Sequence, residues 1–268
     1  MHDPGTVTVS DPPPAAPRAA TELVEAEGLS AGYGAQTVLR DVTFSLRAGE
    51  RIAVLGPNGG GKTTLFRVLL GELAPREGTV RRPERCGVVP QTERSRLDFP
   101  VSALDVATMG AISWLPWWRR PGRRERGQAR AALAAVGLAD RVDITFGDLS
   151  GGQRQRVLVA RALVQDAEVV LLDEPFSGLD TTSADRLELL LGQLAAQGRG
   201  VLIATHDVEQ ARRWDRVLCL NGRQVAFGAP DRVLTHAVLE ATYGAALVAL
   251  PEGGGRAIVP PHHHEGHS

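Results

Sequence analysis

The sequence predicts an α/β fold with a mainly parallel core sheet, a small antiparallel β layer ahead of it and a helical insertion. Three observations predict it. The apolar run Arg51–Leu55 leads straight into a glycine loop, Gly56–Gly61, and then into Leu65–Leu70, whose apolar residues suit a helix. Two later runs, Val169–Leu172 and Val201–Ala204, are short and wholly apolar and end in polar residues, as buried parallel strands do at a ligand crevice. Between the first run and these two lies a strand-poor stretch, about 91–165, with apolar residues at helical spacing.

The glycine loop is the most informative element. Gly56-Pro57-Asn58-Gly59-Gly60-Gly61-Lys62-Thr63 fits G-x-x-x-x-G-K-[ST] at every fixed position, and Thr64 follows it. Glycines let the backbone curl until successive N–H groups point inward, toward the oxygens of a triphosphate. The helix behind adds its free N–H groups and the positive end of its dipole. In such a P-loop Lys62 reaches the β- and γ-phosphates of a nucleotide and the Thr63 hydroxyl binds Mg²⁺.

Composition excludes little else. Thirty Lys and Arg stand against 31 Asp and Glu, a net charge of −1, so nothing global points to nucleic acid. Cys86 and Cys219 match no metal or redox spacing and read as reduced thiols. Residues 1–20 lack the apolar core of a signal peptide, and no window approaches the ~20 apolar residues of a spanning helix, so the chain is expected to be soluble by itself.

In chain order, residues 1–20, rich in Pro and Ala, read as a disordered leader. Leu23-Val24, Val38-Leu39 and Val42–Leu46 read as strands of a largely antiparallel sheet punctuated by Gly32, Gly34 and Gly49. Tyr33 fits either an ordinary turn tyrosine or an aromatic face for a purine base. Cys86–Val89 is a short strand ending at Pro90-Gln91, and Ser102 with Asp105 is a helix start. Three tryptophans, Trp114, Trp117 and Trp118, precede Arg119, Arg120, Arg123, Arg124 and Arg126. This segment fits either a solvated loop or a surface facing a membrane partner or lipid headgroups. Ala129, Ala132, Leu133 and Val136 form a helical stripe closed by Gly137.

Leu149-Ser150-Gly151-Gly152-Gln153 opens the next helix with a Ser150/Gln153 capping box. Two glycines in a first turn are costly, and make sense where backbone must approach a phosphate closely. Val169–Leu172 ends in Asp173 and Glu174. Asp173 is placed to hold Mg²⁺ through its waters, and Glu174 to polarise an attacking water. Thr182 is read as capping the helix that carries Leu187, Leu190, Leu191 and Leu194. His206 follows Val201–Thr205 at the same sheet edge as Asp173, which favours a γ-phosphate contact over a structural role. Asn221-Gly222 is a hairpin turn, Asp231–Tyr243 a helix, and 246–250 with 257–259 a last strand pair. The tail carries His262, His263, His264 and His267.

Together these motifs resemble the ATP-binding cassette (ABC) ATPases over roughly residues 21–235, with Leu149–Gln153 as the specific element. The resemblance implies an ATPase domain over 21–245, a helical subdomain at about 91–165, and a C-terminal extension over 246–268. It assigns Tyr33 to adenine, Gly56–Thr64 to phosphates and Mg²⁺, Gln91 to the Q-loop beside Mg²⁺ and the reacting phosphate, Asp173 and Glu174 to the Walker B pair, Asp180 to the D-loop and His206 to the switch. It also implies a head-to-tail homodimer in which Ser150, Gly151, Gly152 and Gln153 cap the ATP held by the other subunit.

A narrower resemblance rests on Val89–Gln91, Asp98–Gly110, the Trp- and Arg-bearing loop and the His-rich end. These look like the ATPase subunits of manganese/zinc importers. The implied partners are integral membrane permeases and an extracytoplasmic substrate-binding protein, with the cassettes peripheral on the cytoplasmic face of the membrane. The rivals are an exporter ATPase, an importer of another solute, and a non-transport ABC ATPase acting on DNA or ribosomes. The His tail reads either as a biased disordered end, in part a tag, or as a metal ligand.

Overall fold

A computed structural model describes residues 21–89, 100–244, 247–249 and 256–258. The expectations for residues 1–20, Pro90, Gln91, Asp98, Phe99 and the His-rich tail lie outside the described residues. The described residues form eleven strands and eight α-helices.

The described residues start with a long hairpin, β1 (Glu22–Tyr33) against β2 (Gln36–Arg47), turned by Gly34 at φ 51°. A third strand, β4 (Glu77–Arg81), pairs with β1 to give an antiparallel sheet ordered β2-β1-β4. The sequence reading did not foresee β4, whose short run carries no apolar alternation.

The core sheet has six strands in the order β5-β6-β7-β3-β8-β9. They are β3 (Arg51–Leu55), β5 (Cys86–Val89), β6 (Val169–Asp173), β7 (Gly200–Thr205), β8 (Arg216–Leu220) and β9 (Gln224–Gly228). The first five run parallel, and β9 returns antiparallel from the Asn221-Gly222 turn.

Both faces of this sheet are buried, which explains the continuous apolar runs. Ala53, Leu55, Val170 and Leu172 face one core, covered by α4 (Gly151–Val164) and α5 (Thr181–Ala196). Ile52, Val54, Val169 and Leu171 face the other, covered by α1 (Lys62–Leu70) and the antiparallel sheet. Leu187, Leu190, Leu191 and Leu194 bury the stripe of α5 in the first core, while Leu65, Phe66, Val68 and Leu69 do the same for α1 in the second.

Residues 100–164 are mainly helical. Ser102 and Asp105 form the expected capping box on α2 (Ala103–Thr108), which tightens into a 3₁₀ turn over Met109–Ser113. Then α3 (Arg123–Ala135) packs with α2 and α4, burying Ala129, Ala132 and Leu133, and Gly137 follows it at φ 71°. Trp114 is tethered, its indole N–H donating to the Val164 carbonyl at 3.2 Å, whereas Trp117 and Trp118 are 91% and 72% exposed.

Two expectations about helices need correction. The cap of α5 is Asp180, not Thr182: its carboxylate accepts from the Ser183 amide at 2.9 Å and from the Ser183 hydroxyl at 2.8 Å. Both residue types cap well, so the residue types alone did not locate the helix start. The helix read over Asp231–Tyr243 is two: α7 (Pro230–Val233) and α8 (His236–Tyr243). Thr235 divides them, because its hydroxyl accepts from the Val238 amide and so starts a new helix. A short α6 (Val208–Ala211) lies between β7 and β8, and β10 (Leu247–Ala249) pairs antiparallel with β11 (Arg256–Ile258).

Candidate functional site

The strand register brings three loops to one edge. Leu55 of β3 pairs with Thr205 of β7, and Ala204 of β7 pairs with Asp173 of β6. The chain therefore leaves β3 into Gly56–Gly61, β7 into His206 and β6 into Glu174, all at the C-terminal edge of the sheet. Carboxyl ends of parallel strands are where open α/β sheets bind ligands.

The glycine loop is curled and close-packed. The Gly60 amide donates to the Pro57 carbonyl at 3.0 Å, and the Leu65 amide of α1 donates to the Gly61 carbonyl at 2.9 Å. Gly61 caps α1 at φ 102° with no side-chain bond to the helix N-terminus, so the first-turn amides carry no side-chain cap. Two of the glycines are required, Gly56 by space, since a Cβ there would stand 2.2 Å from the Leu220 carbonyl oxygen, and Gly61 by its φ of 102°, which L side chains rarely adopt. The loop can hold this shape only without side chains there.

Lys62 is 7% exposed and folds back across the loop. Its Nζ donates to the Gly56 carbonyl at 2.6 Å and to the Pro57 carbonyl at 3.1 Å. Burial holds its ammonium below the ordinary lysine range, against the opposing pull of Glu174 and Asp173. Thr64, next along α1, is buried, and Thr63 is half-buried.

Glu174 sits at φ 47°, a left-handed conformation rare for a non-glycine residue, with its amide donating to the Ala204 carbonyl at 2.9 Å. Such strain costs about 1–3 kcal/mol and concentrates where geometry serves function. His206 Nδ1 lies 3.6 Å from Glu174 Oε1. The adjacent Glu174 carboxylate raises the imidazole above its ordinary value, although burial opposes the rise. Thr205 and Asp207 hold the turn: the Asp207 amide donates to Thr205 Oγ1 at 3.1 Å, and the Asp207 carboxylate caps α6.

The remaining predicted residues fall elsewhere. Ser150 caps α4 with the expected box, the Gln153 amide donating to Ser150 Oγ at 3.3 Å and the Ser150 amide to Gln153 Oε1 at 2.9 Å. Gly151 has open space around it, whereas a Cβ on Gly152 would meet Ser183 Oγ at 3.2 Å and Leu179 Cδ2 at 3.3 Å. Ser150–Gln153 thus abuts the start of α5, beside Asp180. No hydrogen bond or ion pair among the described residues joins it to Gly56–Gly61. Tyr33 closes β1, 42% exposed, with the Arg67 guanidinium 5.6 Å from its ring centre. Gln91 lies outside the described residues.

Sequence reasoning missed part of the cradle. The Gly56 amide donates to Tyr243 Oη at 3.1 Å, and the Gly222 amide donates to the Gly60 carbonyl at 3.0 Å. In the sequence Asn221-Gly222 marks only a turn and Tyr243 only the end of a helix.

A glycine cradle ahead of a helix N-terminus, with a carboxylate and an imidazole paired on neighbouring strand ends, defines a P-loop nucleotide hydrolase. The family described as ABC transporter matches residues 39–177, and the chain belongs to this family; it is an ABC-type ATPase. The chain is 40% identical to the zinc transport system ATP-binding protein TroB of Treponema pallidum, over 82% of this chain and 86% of that protein. It is 36% identical to the manganese transport system ATP-binding protein MntB of Bacillus subtilis, over 85% of this chain and 95% of that protein. Among solved structures, an inward-facing ABC transporter proposed to be of metal-chelate type superposes with a TM-score of 0.78 at 30% identity, covering 91% of this chain and 99% of that one.

Proposed function

We propose that this chain is the ATP-hydrolysing subunit of an importer of manganese or zinc ions. It works as a homodimer beneath two permease subunits, on the cytoplasmic face of the membrane, with a substrate-binding protein outside. The observation that carries the ATPase reading is the convergence of Lys62, Glu174 and His206 at one sheet edge. The metal reading rests on the relatives, two of which are named for zinc and manganese transport. No helix among the described residues is long and apolar enough to cross a membrane, so a permease must supply the path.

Each residue has a role in this reading. Gly56–Gly61 and the first amides of α1 take the phosphates of ATP, and Pro57 and Asn58 shape the outer turn. Lys62 leaves the Gly56 and Pro57 carbonyls for the β- and γ-phosphates. Tyr33 takes the adenine. Glu174 orients the attacking water and accepts its proton, and His206 donates to the γ-phosphate. Ser150, Gly151, Gly152 and Gln153, with Asp180, serve the ATP of the partner subunit, consistent with the self-capped first turn of α4 and the exposure of Ser150, Gly151 and Asp180.

The Thr63 hydroxyl and the Asp173 carboxylate are hard oxygen donors and suit Mg²⁺, with Gln91 as a third. Mg²⁺ bound there supplies charge neutralisation on the β- and γ-phosphates. The residues around it position ATP and exclude water.

The exposed Trp117 and Trp118, in edge contact at 5.7 Å between ring centres, follow exposed Met109 and Ile112 in the chain and precede exposed Arg120, Arg123 and Arg124. This is the face offered to the permease, because aromatic and Arg side chains are favoured at interface cores.

The test is uptake of labelled manganese and zinc by vesicles holding this chain with its permease. Uptake should require ATP and vanish in Lys62→Ala. Uptake of neither ion would end the metal reading, and ATPase activity in Lys62→Ala equal to that of the unaltered chain would end the assignment of the loop.

A further inference from the structure

The first residue of the glycine loop, Gly56, is held through both of its flanking peptide groups. Its carbonyl accepts from Lys62 Nζ at 2.6 Å, and its amide donates to Tyr243 Oη at 3.1 Å. The two partners differ in permanence. Lys62 must leave the Gly56 carbonyl to meet a phosphate, and nothing in that step requires Tyr243 to move.

Tyr243 comes from far along the chain. It ends α8, which contacts β8 and β9. Asn221 Nδ2 approaches the Ala241 carbonyl of α8 at 3.5 Å, a weak tie between turn and helix. The same turn supports the other end of the loop, since the Gly222 amide donates to the Gly60 carbonyl at 3.0 Å. The Leu220 carbonyl presses against Gly56 so closely that a Cβ there would stand 2.2 Å away. The outer wall of the cradle is therefore β8, its turn and Tyr243. Burial pushes the Tyr243 phenol above its ordinary value, so it stays neutral across the working range of pH.

We propose that Tyr243 is a positioning residue of the nucleotide site: its hydroxyl holds the Gly56 peptide so that Gly56–Gly61 stays curled after Lys62 has turned to the phosphate. This rests on reading the loop as the phosphate cradle of ATP. A loop already curled loses less freedom on binding, so the benefit falls on nucleotide affinity and not on the chemical step. The alternative is that Tyr243 only fills space, since its ring packs against the larger core.

Tyr243→Phe separates the two, because the ring remains and only the hydroxyl goes. In the full chain without nucleotide, hydrogen exchange of a peptide spanning 52–61 should quicken while one spanning 169–173 stays unchanged. KM for ATP should rise about 5-fold, the usual worth of one neutral hydrogen bond, with kcat within about 2-fold. Tyr243→Leu, which loses the ring as well, should show the same KM rise and a lower melting temperature in addition. A Tyr243→Phe chain with unchanged exchange over 52–61 and unchanged KM overturns the proposal. So does one that melts earlier, or fails to fold, without a change in KM or in exchange confined to the loop. If the unaltered chain fails to bind ATP, the cradle reading itself is wrong, while the exchange comparison still decides whether Tyr243 holds the loop.

Discussion

Replacing Glu174 by Gln tests the chemistry with the smallest change of shape. The carboxylate lies at the end of β6 in a left-handed backbone conformation, 3.6 Å from His206 Nδ1. Gln keeps the length and one oxygen but cannot accept a proton from water. Removing a general base costs about 100- to 10,000-fold in rate. Turnover should fall by that factor while ATP still binds, and an ATP-bound dimer should accumulate on size exclusion.

The change should cost little stability. At 3.6 Å a full ion pair is worth about 1 kcal/mol in a water-like medium. His206 is 63% exposed, which pulls the measurable value toward the lower end of about 0.2–1 kcal/mol. The pair also sets a sign with pH. His206 titrates above its ordinary value of 6.5 because the protonated ring is held by Glu174. Its contribution to stability is complete below that value and is lost as pH rises through the raised one. Glu174→Gln should therefore melt slightly earlier than the unaltered chain below about pH 6.5, and the gap should close on going alkaline. NMR titration of His206 should show a lower midpoint in the variant. Turnover within tenfold of the unaltered enzyme would remove Glu174 as the base, and an unmoved His206 midpoint would remove the pairing.

Two further predictions concern shape and assembly. Gly56→Ala should destabilise the chain by about 1–3 kcal/mol in thermal melts, since its Cβ would stand 2.2 Å from a backbone oxygen, whereas Gly151→Ala should melt within about 0.5 kcal/mol of the unaltered chain because its surroundings are open. Equal melting of the two would refute the packing of the cradle. Trp117→Ala with Trp118→Ala should keep basal ATPase but lose co-purification with the permease; full retention of the permease would place its contact elsewhere.

Local chemistry was legible without coordinates. The P-loop, the Ser102 and Ser150 capping boxes and the apolar strands announce themselves because each depends on residues a few positions apart, through backbone freedom, caps and periodicity. Even there, two nearby cap-type residues competed, and only the structure chose Asp180 over Thr182. The resemblance to ABC ATPases, carried by Leu149–Gln153, was likewise readable, and the match over 39–177 agrees with it.

What tertiary structure alone decided is which distant pieces meet. Periodicity marks a strand as buried but not its neighbours. The order β6-β7-β3, which sets the end of β6 level with the glycine loop and His206 between them, follows from how both faces of the sheet are covered. The pairing of β4 with β1, the break at Thr235 and the grip of Tyr243 on a loop 187 residues away have the same origin. Sequence by itself named the phosphate cradle; packing between segments far apart in the chain built its outer wall, because a hydrogen bond across that separation leaves no periodic trace in either segment.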